Sequence, residues 1–183
     1  MTQPISTSNT NIETPLGVLS FGVSSTEGDL SNVKITPCEI EPTLPEGMHV
    51  EKCIAIIMQC TSSKPLKKIN FSCSWLELKE KGYPCSGEGL EAWEWEHNET
   101  TLTIGTEDDE FLNSRIKQNN LTVENYSISM NNNTILIEIN EFPINNELSL
   151  HYVIAWNSLP ETTNDSCWFA VDTPHEKLLT ICQ

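Results

Sequence analysis

Histidine and basic side chains are scarce in this chain, no CxxC pair occurs, and no apolar run approaches the ~18 residues of a membrane-spanning helix. Each shortage excludes something. With four histidines (His49, His97, His151, His175) and no paired-cysteine motif, no structural metal site is expected. His97, beside a turn, and His151, on a strand face, are expected simply to be solvated. Only 10 basic side chains face 26 acidic ones, a formal net charge of −16, so nucleic acid and anionic lipid headgroups are poor partners. There is no Gly-x-Ser-x-Gly, His-Glu-x-x-His or Gly-rich phosphate loop, so neither catalysis nor a cofactor is expected. The acidic run Glu107, Asp108, Asp109, Glu110 lacks the spaced Asp/Asn and Gly of a calcium loop.

What the chain has in quantity is sequons and cysteines. Asn-x-Ser/Thr begins at Asn70, Asn98, Asn120, Asn125, Asn132 and Asn164. Seven cysteines accompany them, Cys38, Cys53, Cys60, Cys73, Cys85, Cys167 and Cys182, all disulfide candidates; the odd number leaves at least one thiol over. Together they predict a secreted, glycosylated protein, with a lumen of the secretory pathway as the other compartment that fits. No charged-then-apolar leader is present, so Met1 is expected to start a mature product. Residues 1–14 are polar and predicted to be a flexible leader, leaving 15–183 as one domain large enough for a real core.

Period-two alternation dominates that domain. Leu148, Leu150, Tyr152, Ile154 and Trp156 share one face of a predicted strand, with Ser149, His151, Val153 and Ala155 on the other. Ile69, Phe71, Cys73 and Trp75 alternate with polar residues that include the Asn70 sequon. Two hairpins are predicted: Tyr126 to Met130 with Ile135 to Ile139, and Ala92 to Trp95 with Thr101 to Ile104, each with a sequon at its turn. Further strands are expected at 18–23, 32–36, 50–58, 167–171 and 178–182, and one short helix at 109–117. The prolines are expected between strands, not within them. This is an all-β pattern, an antiparallel β-sandwich.

The run Asn32-Val33-Lys34-Ile35-Thr36-Pro37-Cys38, followed by the Pro-rich link 42–47, resembles the start of the ML (MD-2-related lipid-recognition) family. So does Phe142-Pro143-Ile144 leading to Ile154-Ala155-Trp156 and then, after an 11-residue step, Cys167-Trp168. The likeness covers about half the chain. It departs from the family's pattern around residues 22–24 and at Thr43, where family cysteines are missing, so no disulfide pairing carries across. The resemblance implies an immunoglobulin-like, two-sheet antiparallel sandwich that opens at one edge to hold a sterol or acyl chain, with the acidic hairpin region 86–121 an expected insertion relative to the family. The lining would be Ile69, Phe71, Trp75, Ile137, Leu150, Tyr152, Ile154 and Trp156, apolar as such a cavity requires.

Two functions are therefore expected as alternatives. One is a secreted lipid carrier or sensor. The other is a protein-binding module, such as a cytokine or chemokine decoy, an immune-evasion protein or a receptor ligand, meeting a basic protein or a cell-surface receptor. It would use Trp93, Glu94, Trp95, Glu107, Asp108, Asp109 and Glu110. The orientation of the two indoles separates these alternatives: exposed, they anchor a partner; buried, they are scaffold.

Overall fold

A computed structural model of the chain describes residues 5–27, 30, 32–118, 126–131, 133–142, 146–158 and 165–182. The strands are β1 (Ile5–Thr14), β2 (Gly17–Glu27), β3 (Asn32–Glu39), β4 (Lys52–Thr61), β5 (Leu66–Trp75), β6 (Tyr83–Pro84), β7 (Leu90–His97) and β8 (Thr100–Glu107). There follow helix α1 (Asp109–Gln118), then β9 (Tyr126–Asn131), β10 (Thr134–Phe142) and β11 (Glu147–Asn157), and last the helices α2 (Ser166–Val171) and α3 (His175–Ile181). Two antiparallel sheets form, in the orders β1-β2-β5-β10-β9 and β3-β4-β11-β8-β7-β6. The protein is an all-β two-sheet sandwich with a few short helices.

The expected alternation sets the interior. Phe21, Phe71 and Ile137 of the five-stranded sheet meet Met58, Leu102, Tyr152 and Ile154 of the six-stranded one, and all are buried. Burying side chains of this size contributes roughly 1.5–3 kcal/mol each. Tyr152 satisfies its one polar atom by donating its hydroxyl across the sandwich to the Phe71 carbonyl at 2.9 Å.

Four expectations need correction. Residues 5–14 are no flexible leader: they form β1 and pair with β2 from Ile5↔Ser25 to Thr14↔Gly17. A polar edge strand needs only one good neighbour, so its composition resembles that of a loop. Pro37 and Pro84 lie inside β3 and β6, the two edges of the six-stranded sheet, where a missing N–H removes no ladder bond. The hairpin β7–β8 is an integral part of that sheet, because β8 pairs with β11 at its centre. Segments 167–171 and 178–182, expected as strands, are the helices α2 and α3, with Cys182 capping α3.

Those helices create a third layer. They cover the outer face of the six-stranded sheet, where Ala55, Ala92, Val153 and Ala155 pack with Ala170, Val171 and Leu178. Small residues on that face bring the helices close. At Gly105 of β8, a Cβ would stand 2.8 Å from Val171 Cγ2. Two-sided burial also explains the unbroken apolar run from Cys53 to Met58 in β4.

Candidate functional site

The acidic run at the end of β8 is mostly consumed by local structure. Asp108 caps α1, accepting from the Phe111 N–H at 2.8 Å, and its other oxygen accepts from the Gly89 N–H at 3.0 Å. Asp109 and Glu110 lie in the first helical turn, where negative charge is favoured. Glu107 receives the Arg115 guanidinium through Nε, 3.1 Å from each oxygen, and Nη2 at 2.6 Å. Arg115 Nη1 reaches on to the Ser149 carbonyl at 2.8 Å. This largely buried pair joins α1 to β8 and β11.

Beside it lie two buried imidazoles. His151 projects from the outer face of β11, and His175 begins α3 directly after Pro174, a residue whose fixed φ suits a helix start. Their Nδ1 atoms are 2.9 Å apart and the rings stack with centroids at 5.1 Å. Burial first, and then the Arg115 charge, hold His151 down to about 3. His175 is also held down to about 3, by burial, then by His151 and Arg115, with Glu107 pulling the other way. Both rings are neutral at physiological pH, so one donates a proton to the other across the Nδ1 pair. Around them the polar atoms are mostly satisfied: Thr106 donates to the His151 carbonyl at 2.7 Å. His175 Nε2 is buried without a hydrogen-bond partner.

The pair opens onto a cleft. Two adjoining hollows, of about 90 and 290 Å³, share Glu107, Phe111 and Pro174 in their walls. Gly89 adopts φ +80° beneath the Phe111 ring, and Phe111 itself is 57% exposed at the mouth. Apolar walls over a few convergent polar groups are typical of a small-ligand site.

The eight residues expected to line a lipid cavity do come together, between the sheets. They fill that space: Ile69, Phe71, Ile137, Tyr152 and Ile154 have no exposure, and Trp75, Leu150 and Trp156 at most 8%. Trp93 and Trp95 point into the same interior, with the Trp95 ring edge-on to Trp75 at 5.6 Å. By the criterion set from sequence, those indoles are scaffold. Glu94 accepts hydrogen bonds from Tyr83 and Thr103.

Of the sequons, Asn98 is exposed at the tight β7–β8 turn, where Asn98 and Glu99 both have positive φ, and Asn70 sits half-buried on the uncovered face of the five-stranded sheet. Asn120, Asn125, Asn132 and Asn164 lie outside the described residues. Cys38, Cys53, Cys60, Cys73, Cys85 and Cys182 are free thiols, Cys167 Sγ donates to the Thr101 carbonyl at 3.8 Å, and Cys38 meets Cys182 side chain to side chain. Cys53, Cys60 and Cys85 are pushed up to about 12, chiefly by burial, and Cys73 is pushed well above its ordinary value.

Sequence reasoning named Glu107 only as part of an acidic surface and missed the His151–His175 pair. The available signal was Asp172-Thr173-Pro174-His175, a helix start, together with Val153 and Ala155, apolar residues on a face assigned to solvent. No described helix is long and apolar enough to cross a membrane. No family model matches the chain, and neither a curated protein nor a solved structure matches it either.

Proposed function

We propose that this is a secreted binding protein without catalytic activity, and that its ligand is a small molecule held in the cleft over Glu107, Arg115, His151 and His175. The observation that carries this reading is the cleft itself, whose exposed Phe111 and Pro174 stand over buried, convergent polar groups. An exposed aromatic ring next to a hollow of about 290 Å³ offers an apolar anchor, and the floor offers hydrogen bonds. The ligand expected has a flat or branched apolar part against Phe111 and Pro174 and a polar head toward Glu107.

The same geometry disfavours catalysis. Imidazoles held near 3 are poorly matched to proton transfer at neutral pH. The nearby hydroxyls of Thr106 and Thr173 donate to backbone carbonyls of His151 and Ala170, so neither is activated by a ring nitrogen. A lipid between the sheets, as the family resemblance implies, would have to displace side chains that already pack on one another. The exposed Asn98 turn supports the secreted, glycosylated part of the reading.

Fragment screening by ligand-observed NMR, with chelator present, tests the cleft. Fragments bound by the wild type should lose roughly tenfold or more in affinity on Phe111→Ala, as a lost aromatic anchor of ~1.4 kcal/mol or more implies. Fragments indifferent to Phe111→Ala would place the binding site elsewhere.

A further inference from the structure

Three donor groups from three separate elements converge on the cleft floor: the carboxylate of Glu107 at the end of β8, His151 in the middle of β11 and His175 at the start of α3. One ligand atom from each lies within 4.8 Å of the others. We propose that Glu107, His151 and His175 bind one divalent transition-metal ion of the zinc class, with its remaining coordination position open toward Phe111 and Pro174. This deepens the cleft reading and rests on it for the role of the open position.

Chemistry and geometry both favour nitrogen-loving cations. Two imidazoles and one carboxylate suit Zn²⁺, Ni²⁺ or Cu²⁺ and offer too few oxygens for Ca²⁺ or Mg²⁺. Nitrogens bound ~2.0–2.1 Å from one tetrahedral ion sit about 3.3 Å apart, so the 2.9 Å pair needs only a slight spreading. Both histidines are 2% exposed, so an ion held by their Nδ1 atoms would sit on a buried floor, with Nε2 of His175 remaining the protonated nitrogen. Ligation removes the need for two neutral rings to share one proton and gives a purpose to a histidine pair that no hydroxyl or backbone group otherwise explains.

Arg115 works against the ion and also shapes the site. Its guanidinium binds both oxygens of Glu107 and so holds that carboxylate in place, as supporting partners of metal ligands do. Its charge, close to the same atoms, lowers affinity for every cation. Only ions that gain strongly from imidazole overcome that opposition, which makes Arg115 a selectivity element.

Cobalt titration of the full chain, stripped with chelator, tests the proposal, because Co²⁺ reports its ligands by its visible spectrum. One ion per chain should bind, in a spectrum of nitrogen and oxygen ligation, and be displaced by Zn²⁺ but not by Ca²⁺ or Mg²⁺. His175→Ala and Glu107→Gln should each weaken it by more than the roughly 10–100-fold that loss of a mere supporting partner costs. Arg115→Gln should tighten it about tenfold, which a purely structural arginine would not do. No binding by the wild type, a sulfur-to-cobalt band pointing to the cysteines, or affinity unchanged in His175→Ala would each overturn the site. Phe111-dependent fragment binding in chelator would still stand in that event, so the two readings fail separately.

Discussion

The two faces of the six-stranded sheet solve different packing problems. Its inner face presents large side chains, Tyr152, Trp95, Met58 and Leu102, to an equally bulky partner sheet. Its outer face presents Ala55, Ala92, Gly105 and Ala155 to two short helices. Large residues interdigitate, the Tyr152 hydroxyl donates to a carbonyl across the gap, and the Trp75 and Trp95 indole N–H groups are buried there without a partner. Small residues let helices come close but cannot fill the ends of the layer. There His151, His175 and the Glu107–Arg115 pair occupy buried space beside a cleft. Stability is concentrated on one face and chemistry on the other.

The contrast can be broken experimentally, and the largest effect should come from the inner face. Phe71→Ala should cost about 3–5 kcal/mol in urea denaturation, since a fully buried ring leaves a cavity between sheets that cannot collapse. A cost below ~1.5 kcal/mol would mean that the two sheets yield readily, and would revive a lipid between them.

Next comes pH. His151 and His175 are depressed in the fold to about 3 from an ordinary 6.5, so the unfolded chain binds more protons and stability rises with pH across that window. The contribution is complete above pH 6.5 and is lost as pH falls toward 3. From pH 6.5 to 5 the pair should lose on the order of 3 kcal/mol, a slope that His151→Gln with His175→Gln should flatten in urea titrations at each pH.

Smaller still, Gly105→Ala should destabilise by about 1–3 kcal/mol, because the new methyl meets Val171 and Leu90. Near-ultraviolet circular dichroism should show the helix-covered face loosening first. Smallest of all, Asn98→Gln in protein made by eukaryotic cells should remove one glycan's mass while changing stability by less than ~0.5 kcal/mol. An unchanged mass would count against the secreted reading.

How much was legible follows from the same contrast. The inner face was readable because a strand repeats every two residues: Leu148 to Trp156 declared their side, and the structure buries them together. Helix α1 was readable from its local composition. The outer face was not. Cys167-Trp168-Phe169-Ala170-Val171 is a short apolar run whose periodicity fits a buried helix as well as a strand, and choosing strands left His151 facing solvent. The histidine pair then had no local signature, since its members are 24 residues apart and meet only because α3 packs over β11. Glu107 and Asp108 looked like free acids because the partners that employ them, Arg115 and the Gly89 and Phe111 amides, are set by tertiary folding.

Nitrogen-15 NMR of the histidine rings, followed from pH 8 to 4.5 in chelator, tests most directly whether the helices bury a neutral imidazole pair over the sheet. The resonances of His151 and His175 should keep the neutral pattern throughout, one ring protonated at Nδ1 and the other at Nε2, and should change in Phe111→Ala when a cleft fragment is added only if that fragment still binds. Uptake of a proton by either ring near the ordinary value of 6.5 would show both histidines open to water, and the cleft described for this protein would not exist.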